Sequence, residues 1–209
     1  MDDLKLAALM CSKICHDLIS PVGALSNGIE VLADDDDPEM REHAMTLLET
    51  SAAQATAKLK FARLAYGSSG SKGIEIDLRE AEAAIRELLG GKKINIRWEA
   101  PAVPVDKDVV KVLVNLANAA CDTIPRGGDL KIEVVTGGSE GRASLTATGA
   151  RARLADETRS GLNGALGVDD LDVRTVVPWV SGVLAREFGQ GIDIQASEEA
   201  IKFSFTFSA

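Results

Sequence analysis

Aromatic residues are scarce in this chain: Phe, Trp and Tyr make up 4% of its 209 residues, although 45% are hydrophobic. A core made mainly of Ala, Leu and Val suits packed helices better than a β-sandwich, which draws on large aromatic side chains. Basic residues are also in deficit, with 23 Lys and Arg against 32 Asp and Glu and a net charge of −9. That balance excludes a surface that tracks nucleic-acid phosphates and favours a protein partner with a positive fringe. The three cysteines, Cys11, Cys15 and Cys121, are odd in number and lack C-x-x-C spacing, which rules out a disulfide framework or zinc knuckle. Cys11 and Cys15 lie four residues apart on an apolar stripe and are expected to be reduced core residues. No run of about 18 apolar residues could span a membrane. The opening MDDLKLAALM is acidic where a secretory leader would be basic, so a cytoplasmic protein is expected.

What is present begins with helical periodicity. Leu4, Ala8, Cys11, Cys15, Leu18, Val22, Leu25, Ile29 and Leu32 recur at steps of four and three, a coiled-coil-like seam about 42 Å long. The run stops at the acidic turn Asp34 to Asp37. Asp37 is suited to cap the next helix, with Pro38 at its first position, where a missing N–H costs nothing. Met40, Ala44, Leu48, Ser51, Ala55, Leu59, Ala62 and Tyr66 form the second stripe, so residues 1–66 read as a hairpin of two long antiparallel helices. Leu9, Ile14, Ile19, Met45 and Ala52 lie off these seams and widen the apolar faces beyond what one partner helix covers. Dimerisation into a four-helix bundle is the expected remedy.

The segment GSSGSKG, 67–73, reads as a flexible linker. Beyond it, over 74–209, the pattern becomes mixed α/β. Residues 74–78, 94–99, 129–136 and 142–148 alternate as strands, and IDIQAS and IKFSFTF close the chain in the same way. Residues 79–89, Asp106 to Ile124 and Val173 to Phe188 carry helical patterns, the last despite Pro178. Residues 150–170 are weakly patterned. Asp106 and Asp108 read as acidic charges at a helix N-terminus. The fold class expected is therefore α+β: a helical hairpin followed by an α/β sandwich.

With only two histidines, the chemistry narrows quickly. His16 sits one residue, about 100°, off the seam, so its imidazole should face solvent. Ser12, Lys13, Ile19, Ser20, Gly23 and Asn27 surround it as a candidate partner-docking face. Asp17 adjoins it, and Pro21 removes a backbone donor just beyond. A neutral imidazole is a competent nucleophile near neutral pH, and the neighbouring carboxylate can orient the ring. Any single histidine is more often an ordinary surface residue, and His43, beside the acidic turn, is read that way. The four consecutive aspartates lack the spacing of a calcium loop and read as a solvated turn. No glycine pair is followed by the Lys of a phosphate-cradling loop.

HDLISP, 16–21, resembles the H-box of histidine kinases and their phosphotransfer relatives. LVNLANAACDTIPRGGDL, 113–130, resembles the helix and turn of kinase ATPase domains that bind Mg²⁺-nucleotide. Anchored on PRGG, Asn115 matches the first Asn of that motif, but Ala119 falls where the metal-binding Asn belongs. A shift of one residue would bring in Asn118 instead. In LTATGARA, 145–152, Ala147 replaces the adenine-binding Asp, Gly149 is kept and Arg151 replaces a Gly. No glycine-rich lid motif precedes the final helix. The combination resembles the ChpT-type histidine phosphotransferases of alphaproteobacterial phosphorelays.

That resemblance implies a dimeric phosphotransfer bundle with a degenerate histidine-kinase-ATPase-like domain that binds no cofactor of its own. His16 would be the phosphoacceptor and Asp17 its catalytic partner. Phosphate would come from the receiver aspartate of a hybrid kinase (CckA-like) and pass to response regulators (CtrA- and CpdR-like), with Mg²⁺ supplied by the receiver. Two other readings compete: an active ATP-dependent histidine kinase, against which the lost nucleotide motifs argue, and a scaffold that binds receivers without chemistry, against which an intact HDLISP argues.

Overall fold

The computed structural model describes residues 2–34, 36–67 and 73–208. Asp35 of the acidic turn and residues 68–72 of the expected linker lie outside them. The hairpin is formed by α1 (Asp2–Asp34) and α2 (Pro38–Tyr66). Asp37 caps α2 as its sequence suggests, its carboxylate accepting from the Glu39 N–H at 3.0 Å.

The seam of α1 divides between two faces. Leu18, Leu25 and Leu32 are partly covered, in line with buried Pro21 and Gly28, and this stripe meets Ala44, Leu48 and Ser51 of α2. Cys11, Cys15, Val22 and Ile29 are exposed instead. The expectation that Cys11 and Cys15 lie in the core is thus corrected; of the three thiols only Cys121 is buried. A three–four spacing locates a stripe about two residues wide, but one neighbouring helix covers only half of it. On α2, Met45, Ala52 and Leu59 form a matching exposed row at seven-residue intervals.

The second part is a sheet covered on one face by helices. A short strand β1 (Glu75–Asp77) pairs antiparallel with β3 (Pro104–Asp106), flanking α3 (Leu78–Leu89) and β2 (Ile94–Glu99). Then come α4 (Lys107–Asp122), β4 (Gly128–Gly137), β5 (Glu140–Thr148), α5 (Asp156–Leu162), a 3₁₀ turn (Val168–Asp170), α6 (Val176–Phe188), β6 (Asp193–Ala196) and β7 (Ala200–Ser208). The main sheet has the order β2-β4-β5-β7-β6, with β2 parallel to β4 and every other pair antiparallel.

Register aligns the apolar alternation of three strands into rows. Leu130, Ala147 and Ile201 form one, Ile132, Leu145 and Phe203 the next, and Val134, Ala143 and Phe205 the third. All nine side chains are buried. The alternate residues carry the polar face, where Lys131 pairs with both Glu99 and Glu133. Gly141 sits opposite Phe207, and a Cβ there would come within 2.3 Å of the Phe207 ring. Helix α4 lies across the rows, with Val109 through Ala117 buried apart from Lys111. Its cap is Asp106, whose carboxylate accepts from the Asp108 N–H at 2.7 Å. Pro178 is tolerated because α6 begins only at Val176, which puts it in the first turn where N–H groups have no intrahelical partner.

The hairpin and the sandwich share material. Phe61, Leu64 and Ala65, from the last turns of α2, are buried in the same core as α3, α4 and the sheet. At the other end of α1, Lys5 Nζ donates to the Asp169 carbonyl at 2.8 Å, joining the start of α1 to the 3₁₀ turn before α6. Among the described residues no helix is long and apolar enough to cross a membrane.

Candidate functional site

His16 projects from the middle of α1 with 78% of its side chain exposed. Its Nδ1 is 3.5 Å from Oδ1 of Asp17, whose side chain is 34% exposed. A carboxylate on that side favours the tautomer with the proton on Nδ1 and leaves the Nε2 lone pair facing outward. Asp17 is itself held. Lys13, one turn earlier, donates to Oδ1 at 2.6 Å and also to Oδ2. Lys58 of α2 donates to the Asp17 main-chain carbonyl at 2.6 Å.

Behind this group lies a cavity of about 310 Å³ lined in part by Lys13, Asp17, Lys58 and Tyr66. Burial, and then the negative charge of Asp17, push the Tyr66 phenol well above its ordinary range. It therefore faces Asp17 as a neutral hydroxyl.

The expected docking residues fall into two groups. Ile19, Ser20, Gly23 and Asn27 are open to solvent, Ile19 at 73%, and a Cβ at Gly23 would meet nothing within 4 Å. Ser12 and Lys13 turn toward the sandwich, and Lys13 is engaged by Asp17. With His16 they line a larger cavity, about 600 Å³, whose opposite wall includes Asn115, Asn118, Ala119, Arg153 and Arg174. The sequence offered no sign that α1 and α4 would share a cavity. Lys58 was also missed. Its signal is indirect: Pro21 deprives one carbonyl of its donor, but the residue that fills the gap lies 41 positions from Asp17. His43 is an exposed residue 3.9 Å from Glu39.

The kinase-like fold implies a nucleotide and Mg²⁺, and the residues present do not fit them. Ala147 is fully buried between Leu130 and Ile201 and offers only a methyl group where the resemblance places the adenine-binding carboxylate. Arg151 keeps φ at 60°, the left-handed conformation a glycine favours, although it is not glycine. Asn115 is 4% exposed, and neither atom of its amide finds a partner in the protein. Asn118 and Ala119 both line the cavity, so an amide lies next to the position where the resemblance expects a metal-binding Asn. Among the described residues no cluster of three or more His, Cys, Asp or Glu is arranged to hold a metal.

A helical hairpin bearing an exposed histidine, joined to a one-sided α/β sandwich, defines the histidine-kinase-like class of architectures. Residues 78–200 match the family model described as histidine phosphotransferase C-terminal domain. The chain is 38% identical over 201 residues to protein phosphotransferase ChpT of Brucella abortus (strain 2308), covering 96% of this chain and 95% of that one. A solved bacterial phosphotransferase superposes with a TM-score of 0.85 at 35% identity, covering 96% and 95%. The full-length ShkA structure in complex with AMPPNP shares the fold, with a TM-score of 0.51, 17% identity and coverage of 96% and 45%. The chain belongs to the histidine phosphotransferase family.

Tyr66 is the one tyrosine of the chain, which makes its ionisation directly readable. An unfolded phenol titrates near pH ~10, and the folded one does so higher. The stability gained by keeping it neutral is fully present below the unfolded value. It is lost as pH rises from there through the folded value. Phenolate absorbance should therefore appear together with loss of the helical circular-dichroism signal, well above pH ~10. Phenolate appearing near that pH in a fully helical protein would contradict the assignment.

Proposed function

We propose that the chain is a phosphorelay intermediate that accepts a phosphoryl group on His16 Nε2 from a receiver aspartate and returns it to another receiver. The observation that carries this reading is the exposed His16 imidazole with Nδ1 turned toward Asp17. The name of its Brucella relative, a protein phosphotransferase, supports it.

In the transfer, the Nε2 lone pair attacks phosphorus and the bond from phosphorus to the aspartyl oxygen breaks. The carboxylate leaves on the receiver. Asp17 stabilises the positive charge that forms on the ring through the Nδ1 proton. An acyl phosphate is a reactive donor, so alignment contributes more than a strong base. Mg²⁺ comes with the receiver, and this chain binds no cofactor. The docking surface is the open strip Ile19, Ser20, Gly23 and Asn27, to which hybrid-kinase and response-regulator receivers of the CckA-, CtrA- and CpdR-like types present a matching face.

The partner for the uncovered helix face is a second copy of the chain. Val22 and Ile29 of α1, with Met45 and Leu59 of α2, are exposed apolar residues in heptad register, and pairing two hairpins through them completes a four-helix bundle. ATP-dependent self-phosphorylation does not fit this site, because Ala147 stands where the resemblance places the adenine-binding carboxylate.

Three measurements test these points. With a phosphorylated receiver as donor, His16→Ala should abolish labelling, Asp17→Asn should slow it by about 10²-fold, and His43→Ala should leave it unchanged. The label should be acid-labile and base-stable, as a phosphoramidate is; label persisting in His16→Ala would discard the assignment, and a wild-type chain that binds receivers unlabelled would favour the scaffold reading. Light scattering should give twice the chain mass of 22.0 kDa, and a monomer at micromolar concentration would refute the bundle. Calorimetric titration with Mg²⁺-ATP should give no binding, whereas micromolar affinity would promote the kinase reading.

A further inference from the structure

Pro21 lies inside α1 and is buried. Proline has no N–H, so the helical ladder loses the bond that residue 21 would make to the carbonyl four residues earlier. That carbonyl belongs to Asp17, the residue beside His16. In a partly buried setting an unpaired carbonyl is unfavourable. Here it is paired: Lys58 Nζ reaches across from α2 and donates to it at 2.6 Å. The Asp17 carboxylate is held independently by Lys13. One residue is thereby fixed at its main chain by one helix and at its side chain by the other.

We propose that Lys58 is a positioning residue for phosphoryl transfer. Pro21 creates the vacant acceptor and Lys58 fills it, which locks the His16–Asp17 turn against α2. The lock sets where the Asp17 carboxylate stands relative to His16 Nδ1, and therefore the direction in which Nε2 points. Lys58 touches neither the reacting nitrogen nor the phosphoryl group; it acts through Asp17. The proline of HDLISP then has a chemical purpose beyond local stiffness, because it exposes a carbonyl that a second helix can grip. This inference rests on the phosphotransfer reading above.

The test is a double-mutant cycle between Lys58→Met and Pro21→Ala on the full-length chain. The readouts are single-turnover transfer from a phosphorylated receiver that labels the wild type, and the dissociation constant for that receiver. Lys58→Met should slow transfer by about tenfold, less than the 10²-fold that a 1 Å misplacement costs, with receiver affinity unchanged. Lys58→Arg should restore most of the rate, since a guanidinium N–H can donate to the same carbonyl. In Pro21→Ala, residue 21 supplies its own N–H to Asp17, so adding Lys58→Met should cost less than about twofold, a strong departure from additivity. Equal slowing in both backgrounds overturns the proposal, as does an unchanged rate in Lys58→Met. Weakened receiver binding at an unchanged rate would make Lys58 a docking residue and also overturn it. Circular dichroism on each variant separates these outcomes from unfolding. Label that survives His16→Ala defeats the phosphotransfer reading itself, whereas labelled His16 with an additive cycle defeats only this inference.

Discussion

The last turns of α2 serve two bodies at once. Phe61, Leu64 and Ala65 pack into the core shared with α3, α4 and the sheet, while Ala44 and Ser51 of the same helix are buried within the hairpin. Burial of apolar surface is the main favourable term in folding, so this shared packing is not readily given up. It fixes the hairpin's direction relative to the sandwich and sets α1 across a cavity from α4. The cavity next to His16 follows from that placement, as does the approach of Lys58 to Asp17. The histidine is local chemistry, but its surroundings are a consequence of where one helix ends.

The sandwich has a histidine-kinase-like fold, with Ala147 buried where the resemblance places an adenine-binding carboxylate. Arg151 adopts a glycine-like backbone conformation, and Asn115 presents a buried amide without a protein partner. Backbone geometry is constrained by the packed rows of β4, β5 and β7. Side chains that face the cavity have no such restraint.

Much of this was legible in the sequence. Alternation placed β2, β4, β5 and β7 nearly to the residue, because a strand with one buried face must repeat every second position. The cap at Asp37 and the accessibility of His16 were equally readable, since both depend on neighbours within one helical turn. Short β3 was missed because three residues are too few to show a period. Cys11 and Cys15 were misplaced because spacing identifies a stripe without saying what covers it. The Lys58–Asp17 bond and the cavity joining Ser12 to Arg153 bring together residues distant in sequence, and no local pattern encodes them. Single-sequence reading recovers what propensity and periodicity control, and loses what tertiary juxtaposition controls.

The link between Lys5 and Asp169 contrasts with the packing of α2. It is a solvent-facing hydrogen bond and ion pair, of a kind worth no more than about 1 kcal/mol and weakened by salt. The hairpin is thus anchored like a lever, with a stiff fulcrum at the C-terminal end of α2 and a light catch at the tip of α1. Raising the ionic strength weakens the catch and leaves the apolar packing at the fulcrum intact. Lys58, which grips the Asp17 carbonyl, stands three residues before Phe61 on α2 and so belongs to the stiff end of that lever.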